Sequence, residues 1–279
     1  MVPVVPAFTR FRAATKSART IARTAGLMAG LLVLPSAVLA YADLLPAPLN
    51  LDVLGLGSDE QPDLPHVARQ IAIGAPLRIV AFGSSSTEGI GASSPTKAYP
   101  PLLEASLRKL YPQLGGVTVL NRGIGGEHVD DMLKRLDRDV IAAEPQLVIW
   151  QTGSNDPLRG VALDHFRAAT VGAIKRMQEA GIDVVLMEPH WCPALDATPG
   201  SYRFRDAVRE IGDELGVPVI RRADLMQDWI REGKLTRKQL FAADGLHMAD
   251  GGYALLAQAA AAAIVEDSGR VSVAEAVAE

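Results

Sequence analysis

The feature that most restricts how this chain can fold begins at Leu77. From there, five short apolar runs, 77–82, 117–121, 147–151, 183–187 and 217–220, alternate with longer segments of helical period. Each run is strand-length and bounded by Gly, Pro or Asp. The segments between them, 99–110, 129–142, 163–180 and 202–215, read as helices, and 223–231, a short 236–241 and 250–265 follow the fifth run. Strands that alternate with helices of this length pair in parallel, because each crossover helix returns the chain to the same end of the sheet. A parallel sheet buries both faces, so helices must cover it on either side. With 48% apolar residues the chain can supply that core.

The expected architecture is therefore α/β: a three-layer α/β/α sandwich around a flavodoxin-like, five-stranded parallel sheet, spanning 76–268. No internal repeat is visible. Ahead of it, residues 43–75 are rich in Pro, Leu, Asp and Gly without a sustained period and read as a linker. Residues 269–279 read as a tail. Residues 1–42 differ in kind. Arg10, Arg12, Lys16, Arg19 and Arg23 precede an apolar run at 25–42 that only Pro35 and Ser36 interrupt, with small residues near its end. That order reads as a signal peptide or an uncleaved membrane anchor. Basic residues in front keep the amino end inside and place the rest outside. The lone cysteine, Cys192, excludes an intrachain disulfide and any cysteine-based metal site. Export without disulfides points to a bacterial periplasm, or to attachment to the inner membrane facing it. Setting the front aside leaves 23 basic against 32 acidic side chains, which gives no footprint for nucleic acid.

Polar chemistry gathers behind the strands. Gly83, Ser84 and Ser85 follow the first; Gly123 to His128 the second; Gly153, Ser154, Asn155 and Asp156 the third; Glu188 to Pro193 the fourth; and Asp244 to His247 precede the last helix. Parallel strands bring all these ends to one edge, where open α/β sheets bind ligands. A serine there is a candidate nucleophile if the chain also brings it a base. No Gly-x-Ser-x-Gly elbow surrounds Ser85, which argues against the α/β-hydrolase pattern. His190, Asp244 and His247 lack the local spacing of a metal site, so no metal is expected.

Four of these blocks, Gly83-Ser84-Ser85, Gly126, Gly153-Ser154-Asn155-Asp156 and Asp244-x-x-His247, stand in the order and context of the SGNH hydrolases, the GDSL-like esterases and lipases, which the chain resembles over roughly 77–266. The resemblance implies Ser85 as nucleophile, His247 as general base and Asp244 as the acid that orients the imidazole. It also implies an oxyanion hole of the Ser85 and Gly126 backbone N–H groups and the Asn155 side-chain amide. The family commonly carries Asp where this chain has Ser84, so hydrogen bonding at that turn must differ. Glu127, His128, Asp156, His190 and Trp191 fall on the same rim as candidate substrate-binding residues.

The implied activity is hydrolysis of a carboxylic ester through an acyl-enzyme, with no cofactor. Low aromatic content, 5%, and no long apolar lid favour short acyl groups such as acetyl on a saccharide or small molecule. A lysophospholipase or thioesterase of the same fold, an O-acyltransferase, and a non-catalytic carbohydrate-binding protein are the alternatives. The partners expected are a small-molecule, saccharide or lipid ester and, through the front segment, a membrane. No motif encodes an oligomeric state.

Overall fold

The structure, a computed structural model, describes residues 63–269. The expected export segment and the first part of the expected linker lie outside the described residues. A helix, α1 (Pro65–Ile73), opens the described chain and is followed by β1 (Leu77–Gly83), a single-turn α2 (Ser85–Glu88), α3 (Tyr99–Leu110) and β2 (Val117–Gly123). Next come α4 (Val129–Asp139), β3 (Leu147–Gln151), α5 (Leu163–Glu179), β4 (Asp183–Met187), α6 (Pro193–Asp196) and α7 (Ser201–Leu215). β5 (Val219–Ile220), α8 (Arg222–Arg231), α9 (Arg237–Leu240) and α10 (Asp250–Asp267) complete it.

The five strands are all parallel, in the order β2-β1-β3-β4-β5, as the alternation requires. β1 and β2 run in register from Leu77 opposite Val117 to Gly83 opposite Gly123. The order reverses between β1 and β3, which opens a crevice at their carboxyl ends.

Strand periodicity divides the core in two. Ile79, Ala81, Ile149 and Val185 pack with Leu103 and Leu107 of α3 and Leu256 and Ile264 of α10 on one side. Their alternating neighbours Val80, Phe82, Val148, Trp150 and Leu186 pack on the other with Met132 of α4, Ile174 of α5 and Ile211 of α7. Both faces of β3 and β4 are buried throughout. Losing the Trp150 side chain from such a site would cost about 3–5 kcal/mol.

α1 falls within the part of the expected linker, 63–75, that the structure describes. Its Val67 N–H donates to Asp183 Oδ2 at 2.9 Å, and His66 Nδ1 lies 2.6 Å from Asp183 Oδ1. Burial pushes the Asp183 carboxyl up, and these partners oppose that shift. The helix is thus held to the start of β4 by an acid 116 residues away, a contact that no local pattern carries.

Arg135, on α4, fixes the opposite, carboxyl edge. Its guanidinium donates to the Gly83 carbonyl at 3.0 Å and the Arg122 carbonyl at 2.9 Å, and stacks 4.4 Å from the Phe82 ring centre. Glu127 and Asp139 neutralise it at 2.6 and 2.9 Å. Removing one member of a buried charged set like this typically costs about 3–5 kcal/mol. Among the described residues no helix is long and apolar enough to cross a membrane.

Candidate active site

Ser85 begins α2 directly behind β1, so its backbone N–H belongs to the first turn and has no partner inside the helix. The turn is tight because the ends of β1 and β2 press on α2. A Cβ on Gly123 would lie 2.0 Å from the Glu88 backbone nitrogen, so only glycine fits there. Ser84, where the family commonly has Asp, turns inward. Its N–H and hydroxyl both donate to Gln151 Oε1 at 2.9 Å, and Gln151 Nε2 reaches Ser154 Oγ at 3.2 Å. A fully buried glutamine at the end of β3 thus joins the serine turn to the Gly153–Ser154 loop. Sequence reading missed Gln151, since nothing local marks a strand-end glutamine as a turn partner.

The loop behind β2 is held residue by residue. Gly125 N–H donates to Glu88 Oε2 at 2.7 Å, Arg159 Nη2 donates to the Gly126 carbonyl at 3.1 Å, and Asn155 Nδ2 donates to the Glu127 carbonyl at 2.8 Å. Gly126 has φ 78°, a left-handed conformation that favours glycine. Asn155 uses one amide hydrogen on this loop and retains a second. Glu88 and Arg159 also escaped the sequence reading, because their partners are backbone groups more than thirty residues away.

Asp244 organises the last loop. Its Oδ1 accepts from the Leu246 and His247 N–H groups, both at 2.9 Å, and its Oδ2 lies 2.6 Å from His247 Nδ1. The His247 bond, with the two backbone N–H groups behind it, holds the Asp244 carboxyl down at about 2, so it is ionised at neutral pH. Phe241 and Met248 bridge to close the loop, and buried His190 donates from Nε2 to the Leu246 carbonyl at 3.0 Å, pinning it from the β4 side.

Ser85, Gly126, Asn155 and His247 line one cavity of about 280 Å³. Its large apolar walls are Ile90, Leu158, Leu195 and Leu246, and His190 also borders it. Of the five expected rim residues, His190 alone is among those that line it. Glu127 is taken by Arg135, and His128 pairs with Asp131 at 2.5 Å. Asp156 is buried and accepts from the Val129 N–H at the start of α4 at 3.0 Å. Trp191 packs edge-on against Phe241, with Arg237 over its ring. Each of the four others has a structural partner of its own. Cys192 is buried in the core, where burial pushes its thiol up. Among the described residues no His, Cys, Asp or Glu cluster is arranged to hold a metal.

Known proteins are similar to this chain in sequence and in fold. An acetylxylan esterase of Geobacillus stearothermophilus is 28% identical over 132 residues, 43% of this chain and 60% of that protein. The chain therefore spans less than two thirds of that relative. A lipase/acylhydrolase from Enterococcus faecalis superposes with a TM-score of 0.58 at 25% identity, covering 69% of this chain and 96% of that structure. A two-domain esterase active on acetylated mannans superposes at 0.62 with 21% identity, over 76% of this chain and 54% of the other, a likeness of fold alone. Residues 56–270 match the non-GDSL lipase-like family. By that match and by its architecture the chain belongs to the non-GDSL lipase-like family, among the SGNH/GDSL-like hydrolases.

Proposed function

We propose that this protein is a serine esterase that removes short acyl groups, acetyl foremost, from a saccharide or small alcohol. The observation that carries the reading is the Asp244–His247 pair standing at the same cavity as Ser85, Gly126 and Asn155. Asp244 engages Nδ1, which leaves His247 Nε2 to work on Ser85. The Ser85 hydroxyl passes its proton to Nε2 as Oγ attacks the ester carbonyl carbon. The carbonyl oxygen takes the developing charge, and the Ser85 and Gly126 N–H groups with the second Asn155 amide hydrogen stabilise it. One such donor is worth about 2.7–4 kcal/mol. The bond to the alcohol then breaks, and Nε2 returns the proton to the departing oxygen. Water repeats the sequence on the acyl-enzyme: it gives a proton to Nε2, releases the acid, and Ser85 recovers its hydrogen.

Small size and apolar walls suit a short acyl group, and the acetylxylan esterase relative supports acetyl. Hydrolysis of a nitrophenyl ester series, acetate to long chains, tests this. Turnover is expected to peak at acetate and to disappear in Ser85→Ala with the fold intact. Wild-type turnover in that variant sinks the nucleophile assignment, and a peak at long chains moves the substrate to lipids. We also read residues 1–42 as an export segment that places the enzyme in the periplasm. Fused to a reporter active only after export, they should confer activity, and a cytoplasmic reporter with its amino terminus intact refutes this.

A further inference from the structure

A second cavity, of about 450 Å³, adjoins the first, and His190 and Leu195 border both. The two differ in their walls. The large side chains around Ser85 are mostly aliphatic, whereas Asp196, Thr198, Ser201, Tyr202 and Arg205 edge the second cavity. Two polar atoms of its lining residues are buried without a hydrogen-bond partner, His190 Nδ1 and Arg205 Nε. A carbonyl can only accept, so the 3.0 Å bond to Leu246 O places the hydrogen of neutral His190 on Nε2 and leaves Nδ1 an acceptor. Burial, aided by the Arg222 charge, holds this imidazole down at about 3, so it is neutral at working pH. Arg205 Nε is a donor whose nearest carboxylate oxygen, Asp206 Oδ1, lies at 3.9 Å, beyond hydrogen-bond reach.

A buried acceptor and a buried donor left empty-handed cost free energy unless something polar enters. At the rim Tyr202 is 58% exposed, unusual for so large an aromatic side chain. A pyranose ring answers all three features. It has an apolar C–H face to lie on an aromatic ring, and hydroxyls that both donate and accept. An acyl chain offers neither donor nor acceptor and suits the aliphatic cavity instead.

We propose that the second cavity is the alcohol-side subsite of the esterase and holds the sugar ring that carries the acyl group. Tyr202 packs on the ring face, Arg205 Nε donates to a ring hydroxyl, and His190 Nδ1 accepts from one. The inference rests on the esterase reading for the ester that joins the two cavities.

The test compares kcat/KM on acetylated xylo- and manno-oligosaccharides with kcat/KM on 4-nitrophenyl acetate, which has no sugar. The ratio for the best oligosaccharide should fall about ten-fold in both Tyr202→Ala and Arg205→Leu. A ratio within about two-fold of wild type in both variants overturns the subsite. Titrating the same oligosaccharide, without acetyl groups, into isotope-labelled Ser85→Ala reads the subsite without turnover. Amide shifts should cluster at 196–205 and vanish when Tyr202→Ala is added. Such shifts, when the wild-type protein turns over no ester, uphold the sugar site and overturn the esterase reading. Ester turnover without them does the reverse.

Discussion

Two histidine–aspartate pairs in this protein have the same sequence spacing and almost the same geometry. His247 Nδ1 lies 2.6 Å from Asp244, and His128 Nδ1 lies 2.5 Å from Asp131, each three residues apart. Their surroundings separate them. Asp131 is shared with Lys134 at 2.9 Å, and His128 also has Asp130 within 3.9 Å, at the partly buried start of α4. Asp244 is closed onto its own turn by two backbone N–H groups, and His190 holds the Leu246 carbonyl of that turn. Only His247 is among the residues lining the cavity with Ser85. A carboxylate three residues from an imidazole is thus a cheap local motif, and its meaning comes from the sheet edge to which the fold delivers it.

The largest effect should come from exchanging each imidazole in turn. His247→Ala removes the group that takes the Ser85 proton, so kcat on 4-nitrophenyl acetate should fall by about 10³–10⁴-fold. His128→Ala removes an ion pair whose residues are not among those lining the Ser85 cavity and should leave kcat within about three-fold. Steady-state kinetics on both variants decide it. Comparable losses would break the comparison and return His128 to the catalytic rim.

The acids give a smaller contrast. Asp244 is 48% exposed, so water screens part of its support for the imidazole cation. Asp244→Asn should lower kcat by about 10²-fold, less than the loss of the base itself. Asp131→Asn should change kcat by less than about two-fold and cost about 0.3–0.5 kcal/mol of stability in urea. Equal kinetic losses would mean that the 2.6 Å contact positions the loop and does not assist the base.

How much of this was legible in the sequence follows the same division between local and long-range. β3 and β4 lie where their apolar runs end, because Gln146, Thr152, Ile182 and Glu188 sit at boundaries that register and turns also respect. β5 is shorter than its apolar run, since Pro218 has no N–H for the ladder and Val217 N–H turns back to Gly212. The serine, glycine and asparagine blocks that converge on the cavity could be read because each follows its own strand, and parallel strands share an edge, while the Asp244–His247 block precedes the last helix. α1 could not, because Asp183 that holds it lies far along the chain. Glu127, His128, Asp156 and Trp191 could not be told from pocket residues either. Only the fold shows that Arg135, Asp131, the Val129 N–H and Phe241 claim them.

A third histidine sharpens the contrast through stability. His190 is 7% exposed and bonds a carbonyl in place of a carboxylate. Burial first, then the Arg222 charge and to a lesser degree His247, outweigh the pull of the Leu246 carbonyl and of Asp244 and hold its imidazole down at about 3, against 6.5 ordinarily. The unfolded chain takes up this proton below 6.5, and the folded protein does not until about 3. Stability from neutral His190 is therefore fully present above pH 6.5 and is lost progressively as pH falls from 6.5 to 3. The slope is one proton, about 1.4 kcal/mol per pH unit. In His190→Gln the amide can still donate to Leu246 but takes up no proton. Urea unfolding of both proteins across that window should give curves that converge toward acid, the wild type losing its advantage. Parallel curves would show that His190 accepts a proton in place, and that a carbonyl partner serves a buried imidazole as well as the carboxylates of Asp244 and Asp131 serve theirs.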